Sequence, residues 1–153
     1  MNKKKKGDEG ETFVASVLKE LGYLVEIHPR TFRMIYLQGK RIQVSKDNDY
    51  HNLFDIKAER YDGMIYAQVK VEEEKVNTST AQRLIDRDYP YEFPYQRIQT
   101  WQVWKEWVSE PRRHKEFRFR IQERRGFLDE YWRRTNIRKG NWVEIGVDEL
   151  RIQ

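Results

Sequence analysis

Two runs of alternating polarity, joined by a turn, constrain this chain more than anything else in it. In Asn52-Leu53-Phe54-Asp55-Ile56-Lys57-Ala58-Glu59, a period of two puts Phe54, Ile56 and Ala58 on one face and Asp55, Lys57 and Glu59 on the other. In Met64-Ile65-Tyr66-Ala67-Gln68-Val69-Lys70-Val71, Ile65, Ala67, Val69 and Val71 share one face, and Tyr66, Gln68 and Lys70 continue into Glu72 on the other. Arg60-Tyr61-Asp62-Gly63 between them has turn chemistry, with Asp-Gly its strongest signal. The pattern predicts a hairpin with an oily side and a polar side. On the polar side a carboxylate, Asp55, is expected to face the amide of Gln68 and the ammonium of Lys70.

The rest of the chain supplies elements around that hairpin. Phe13, Val14, Val17, Leu18 and Leu21 recur at helical spacing from Asp8 onward, and Gly22 ends the run as a C-cap. Asp8, Glu9 and Glu11 then fall in the first turn, where the helix dipole favours carboxylates. Lys3 to Lys6 ahead of them read as a frayed, solvated tail. Tyr23 to Ile27 predicts a strand. Phe32–Leu37 and Arg41–Val44 predict an inserted hairpin that turns at Gly39-Lys40.

Residues 46–52 form a polar loop. Asp47, Asp49 and His51 in it are metal-ligand types, although solvation is the simpler reading. Beyond the Glu72-Glu73-Glu74 run, Asn77-Thr78-Ser79 is an N-cap signal for a short helix from about Thr80 to Arg87. Tyr91 to Tyr95 is an aromatic loop. Arg97 to Trp104 reads as a strand, but Trp101, Trp104 and Trp107 would equally suit a helix stripe. As core residues they fit better than as a base-stacking platform. Phe117, Phe119 and Ile121 alternate with Arg118, Arg120 and Gln122 in a half-buried strand with a basic outer face. Phe127 to Arg134 reads as helix and Trp142 to Ile145 as a last strand.

Composition narrows the function classes. The chain has no cysteine, which removes disulfides, thiol catalysis and thiolate zinc sites. Its 14% aromatic content argues against disorder despite 36% charged residues. With 153 residues it is expected to form one domain, a core over about 8–104 with a basic extension over about 105–153. No apolar run is long enough to span a bilayer and the lysine-rich start lacks a signal-peptide core, so a soluble, cytoplasmic protein with no membrane partner is the expectation. The net charge of +5 is unevenly spread: residues 1–95 carry 16 Lys/Arg against 16 Asp/Glu, and residues 96–153 carry 14 against 9. A basic C-terminal third beside a neutral remainder points to a polyanion such as nucleic acid, with Arg112, Arg113, Lys115, Arg118 and Arg120 as its phosphate contacts.

A carboxylate at the start of one strand, opposite an acceptor-x-Lys on its antiparallel neighbour, is a compact arrangement for phosphodiester hydrolysis. Its oxygen donors suit Mg²⁺ (or Mn²⁺), a hard cation that keeps several waters. Lys70 beside it can orient the attacking water and stabilise developing negative charge. In these motifs and in element order over roughly residues 8–104, the chain resembles the PD-(D/E)xK nuclease superfamily, most closely archaeal Holliday-junction resolvases and related small nucleases. That family carries a glutamate eleven residues before a Gly-aromatic pair, as Glu11 precedes Gly22-Tyr23 here. Its aspartate in an apolar strand matches Phe54-Asp55-Ile56, and its (D/E)xK matches Gln68-Val69-Lys70.

The resemblance implies an α/β fold, an αβββαβ restriction-endonuclease-like core with a mixed central sheet flanked by helices. It implies Asp55, Gln68, Glu11 and the Val69 carbonyl as metal ligands, and Lys70 as the catalytic lysine. DNA, branched or junction DNA included, is the implied substrate, and members of the superfamily often act as homodimers. The departure is Gln68, whose amide oxygen coordinates Mg²⁺ but brings no charge. Glu72, on the same face, could restore some of it. Two other functions compete. One is a binding module for nucleic acid or protein on the same fold, with a site too weak to cut. The other is a structural subunit of a viral or mobile-element complex that uses residues 89–107 as its interface.

Overall fold

The computed structural model describes residues 3–27, 30–47, 50–51, 53–72 and 78–152. They form an α/β fold, a mixed six-stranded open sheet with three helices. In chain order the elements are α1 (Lys3–Glu20), β1 (Leu24–Ile27), β2 (Arg30–Leu37), β3 (Lys40–Asp47), β4 (Ile56–Arg60), β5 (Gly63–Val71), α2 (Ser79–Asp88), β6 (Gln96–Val108), β7 (His114–Phe127), α3 (Asp129–Thr135) and β8 (Gly140–Ile145), closed by a 3-10 turn at Val147–Leu150. The sheet order is β1-β4-β5-β6-β7-β8, and β2 and β3 pair separately as a two-stranded hairpin. Among the described strands only the β5–β6 pair is parallel, with α2 in its crossover. No helix among the described residues is long and apolar enough to cross a membrane.

The alternation expected of the central hairpin exists, but both sides of the sheet are covered. Ile56, Ala58, Ile65, Ala67 and Val69 meet Val14 and Leu18 of α1 in one apolar layer, together with Trp101, Val103, Ile121 and Leu150. On the opposite side Phe54, Tyr66, Tyr89 and Ile98 pack with Ile85 of α2. Phe54 therefore lies on the other face from Ile56, contrary to the period-two reading. The cause is a bend at Asp55: the strand proper begins at Ile56, and Phe54 pairs back onto Tyr50 in an isolated bridge.

Helix α1 begins at Lys3, so Lys3 to Lys6 are its first turn and not a frayed tail. Lysine is a good helix former, and one further turn costs little once the packed stripe has nucleated the helix. Its first turn consequently holds no acidic residue, and Asp8, Glu9 and Glu11 lie further in. The helix ends as expected. Gly22 takes φ +92°, and the Tyr23 amide bonds back to the Leu18 carbonyl at 3.1 Å. Arg60 then staples this end, donating from Nη1 to the carbonyls of Leu21 (2.9 Å) and Leu150 (2.7 Å) with its guanidinium over the Tyr23 ring.

Other boundaries move by small amounts. The inserted hairpin turns at Gln38-Gly39 rather than Gly39-Lys40, because Leu37 pairs with Lys40. β3 continues through Lys46 and Asp47, shortening the polar loop, and α3 begins at Asp129 rather than Phe127. The three tryptophans all sit on β6, so they form no helix stripe. Trp101 is fully buried on the α1 side, Trp104 is buried on the other, and Trp107 is 58% exposed. The expected extension, described over residues 105–152, contributes β7 and β8 to the main sheet. β7 and β8 widen the same sheet, in continuous register from Val108↔His114 to Gln99↔Glu123 and on to β8.

Candidate functional site

The edge between β4 and β5 holds the candidate centre. β4 starts at Ile56, aligned with Ala67, so the chain before it diverges from β5 and leaves ladder groups to be satisfied. Asp55 supplies both missing bonds. Its own amide donates to the Ala67 carbonyl at 2.9 Å, and its Oδ2 accepts the Val69 amide at 2.8 Å. The carboxylate stands where a backbone carbonyl of β4 would have continued the ladder, near the sheet plane and only 7% exposed. This differs from the expected position on the polar face. It still brings Asp55 to the residue that separates Gln68 from Lys70.

Gln68 and Lys70 alternate with Val69 and Val71, which face α1, and so lie on the α2 side. Gln68 is half-buried and Lys70 exposed. Glu72 follows at the strand's end, half-buried, its amide bonded to the Val103 carbonyl at 2.9 Å. Glu11 approaches from α1. It precedes Val14 and Ala15 by one turn and shares the stripe that buries Val14, Ala15 and Leu18, and it is itself half-buried. Gly10 beside it touches Val71, and a methyl group there would overlap Val71 Cγ2. α1 thus runs antiparallel to β5 and delivers Glu11 to the end of the sheet where Asp55 sits.

As a donor set, a carboxylate, an amide oxygen and a peptide carbonyl are all oxygen, which suits Mg²⁺ or Mn²⁺ far better than a soft metal. Among the described residues no three His, Asp or Glu side chains cluster as a metal cage. Of the Asp47, Asp49 and His51 set, Asp49 lies outside the described residues. His51 packs its ring against Tyr66 and Tyr89, with centroids 5.4 and 5.0 Å away.

The basic residues fall into two groups. Arg112, Arg113 and Lys115 are at the tip of the β6–β7 hairpin, where Arg113 and Lys115 lie 4.4 and 5.2 Å from the Trp107 ring centroid. His114 in the same tip has its pKa raised by its hydrogen bond to the Arg112 carbonyl and then by Glu116. Arg118 and Arg120 occupy the α2 side of β7, but their charge is partly neutralised. Arg118 pairs with Glu116 (3.2 Å) and Glu106 (3.5 Å), and Arg120 with Glu144.

The sequence reading missed a polar network on that same side. Gln68, Thr100, Gln122 and Glu144 are in register across β5, β6, β7 and β8. From α2, Gln82 Nε2 donates to Thr100 Oγ1 (3.1 Å) and Gln122 Oε1 (2.6 Å), and the Thr78 hydroxyl donates to Gln122 Oε1 (2.8 Å). Thr78 is therefore spent on the sheet and makes no side-chain cap bond to its helix. Further along, the buried Asp86 accepts from Gly140 N (2.8 Å), Trp142 Nε1 (3.2 Å) and Arg124 Nη1 (3.3 Å). Burial pushes the Arg124 pKa down, and Asp86 opposes that shift. These groups tie α2, β7 and β8 together. Their sequence signal was only polar residues inside strands.

No family model matches the chain, and no curated protein matches it. A solved structure, that of SSO0001, is similar at a TM-score of 0.34 and 16% identity over 72% of this chain and 48% of that one. The chain thus spans about half the length of SSO0001. A likeness this distant assigns neither a family nor an activity.

Proposed function

We propose that the chain is a Mg²⁺-dependent nuclease that hydrolyses phosphodiester bonds of DNA, junction DNA among its substrates, on a restriction-endonuclease-like core. The observation that carries this reading is the 2.8 Å bond from the Val69 amide to Asp55 Oδ2, which joins the aspartate to the Gln68-x-Lys70 motif across the opening of the hairpin. The element order α1, β1, β4, β5, α2, β6, with an antiparallel pair leading into a parallel one, supports the core. Gly10 against Val71 supports the inclusion of Glu11.

Asp55, the Gln68 amide oxygen and the Val69 carbonyl would hold the cation, with Glu11 completing the set. When bound, it would lower the pKa of water and offset the charge that grows on the phosphoryl oxygens. The chain's own residues do the rest. The bond to Val69 fixes the Asp55 carboxylate against β5, so that no rotamer search precedes binding. Lys70, exposed at the strand's end, orients the attacking water and stabilises negative charge in the transition state. Arg112 and Arg113 at the β6–β7 tip, with Lys115, Arg118 and Arg120 of β7, hold the strand being cut.

The test is cleavage of labelled duplex, single-stranded and junction DNA with Mg²⁺ or Mn²⁺. Wild type should cut at least one form, and Lys70→Ala should lower the rate by about 10²–10³-fold, the cost of losing one preorganised charge-stabilising donor. No metal-dependent cleavage of any form, or a Lys70→Ala variant as fast as wild type, contradicts the proposal. The missing charge at Gln68 favours one alternative, a module that binds DNA without cutting. Gln68→Glu separates the two, because cleavage gained by that change alone would mean that wild type only binds.

A further inference from the structure

We propose that Lys70, Gln102 and Arg120, side by side on β5, β6 and β7, form a phosphate-binding track that holds the phosphodiester next to the one being cut. The inference rests on the nuclease reading for its starting point, Lys70. It rests on its own observations for everything beyond.

The three residues are in direct register, Lys70 with Gln102 and Gln102 with Arg120. All three lie on the α2 side, because Trp101 and Val103 on either side of Gln102, and Phe119 and Ile121 on either side of Arg120, pack on the α1 side. Gln102 is 1% exposed, yet its Nε2 has no hydrogen-bond partner among the described residues. An amide nitrogen buried in that state lacks an acceptor and carries an uncompensated desolvation cost.

The neighbouring row is the control. There Thr100 Oγ1 and Gln122 Oε1 accept bonds from Gln82 of α2, and Gln122 Oε1 also from Thr78 just before the helix. The next row lies beyond the start of α2 at Ser79, and no described residue of the helix bonds to Gln102 Nε2. What Gln102 needs is an acceptor, and the charges on both sides of it set the acceptor's sign. An ammonium on one side and a guanidinium on the other select an anion.

Among the described residues the guanidinium pairs with Glu144, whose side chain is 56% exposed against 28% for Arg120, so the pair is partly screened by water and a phosphate can compete for the guanidinium. Lys70 is exposed, and its flexible stem lets the ammonium follow a phosphate bound on this row. From Lys70 to Arg120 is two strand spacings, roughly 10 Å. The next row continues along the hairpin with Trp104 in register with Arg118, so the track leads away from the cleavage centre toward the basic tip.

The experiment measures binding separately from cutting. Fluorescence anisotropy with labelled duplex DNA is recorded without divalent metal, for wild type, Gln102→Leu, Gln102→Glu and Arg120→Gln, with thermal melting of each. Gln102→Leu should weaken binding by about tenfold while melting no lower than wild type, since it removes a buried unpaired donor. Gln102→Glu should weaken it more, by setting a carboxylate against the phosphate. Arg120→Gln should reduce the slope of log affinity against log salt by about one.

If Gln102 instead serves the fold as an acceptor for its two cationic neighbours, Gln102→Glu will bind DNA as wild type does, and the track is overturned. Unchanged binding by Gln102→Leu overturns it as well. Absence of cleavage in the metal-dependent assay, with Gln102-dependent binding retained, contradicts the nuclease reading and leaves the track standing.

Discussion

The two sides of the sheet are built to different rules. Toward α1, every strand from β4 to β7 contributes apolar side chains, and Trp101 is fully buried among them. Toward α2, an aromatic patch around Tyr66 and Ile98 gives way to rows of amides, hydroxyls and cations. The polar groups buried on the α1 side pair among themselves, Gln99 Nε2 donating to Glu123 (2.9 Å) and Trp101 Nε1 to Gln99 (2.8 Å), whereas on the other side Gln102 Nε2 has no partner among the described residues. The α1 side holds the sheet together. The α2 side, past the start of the helix, has a buried amide nitrogen, Gln102 Nε2, with no partner among the described residues.

The contrast can be broken most severely at Trp101. Trp101→Ala should cost about 3–5 kcal/mol in denaturant unfolding, as expected for a large side chain removed from a closed core. Gly10→Ala comes next, at about 1–3 kcal/mol, because the new methyl group overlaps Val71 and α1 must shift away from β5. An unchanged midpoint for either would mean that the α1 layer is less tightly built than its burial implies.

Changes on the other side should separate stability from binding. Arg118→Ala, with ion pairs to Glu106 and Glu116 on an accessible surface, should move stability by less than about 0.5 kcal/mol. It should nonetheless weaken DNA binding in a salt-dependent way. The smallest effect is expected at His114. NMR titration should find its pKa above the ordinary histidine value, because the Arg112 carbonyl and Glu116 both favour the charged ring. The folded-state pKa is raised, so the extra positive charge at the hairpin tip is present at low pH and lost as pH rises through it. DNA affinity should fall slightly over that interval.

Much of this was legible in the sequence because it is local. Period-two runs gave β4, β5 and β7, and the Phe13–Leu21 stripe with Gly22 gave α1 and its end. The spacing of Asp55 from Gln68 and Lys70 indicated neighbouring strands of one hairpin, and Asp55 bonds to Val69 between them. The face of Phe54 was not legible, because a single bend at Asp55 reverses the alternation and no residue type signals it. Lys3 to Lys6 were misread because charge runs suggest solvated coil while lysine's helix propensity is silent in a hydropathy pattern. The Gln68–Thr100–Gln122 and Lys70–Gln102–Arg120 rows were out of reach for a different reason. Their members lie on three strands, and the step from β5 to β6 is a parallel pairing that no local pattern encodes. In isolation Gln102 is a polar residue in an aromatic strand. Its meaning comes from its neighbours.

The account stands or falls on whether Asp55 and the Gln68-Val69-Lys70 segment share a divalent ion. The most direct measurement adds substoichiometric Mn²⁺ to isotope-labelled protein and follows paramagnetic broadening of backbone amides, in wild type and in Asp55→Asn, which keeps an acceptor for the Val69 amide. The account predicts that the amides of Asp55, Gln68, Val69 and Lys70 broaden first in wild type and are spared in the variant. Broadening confined to other parts of the chain, or identical in the two proteins, would contradict it.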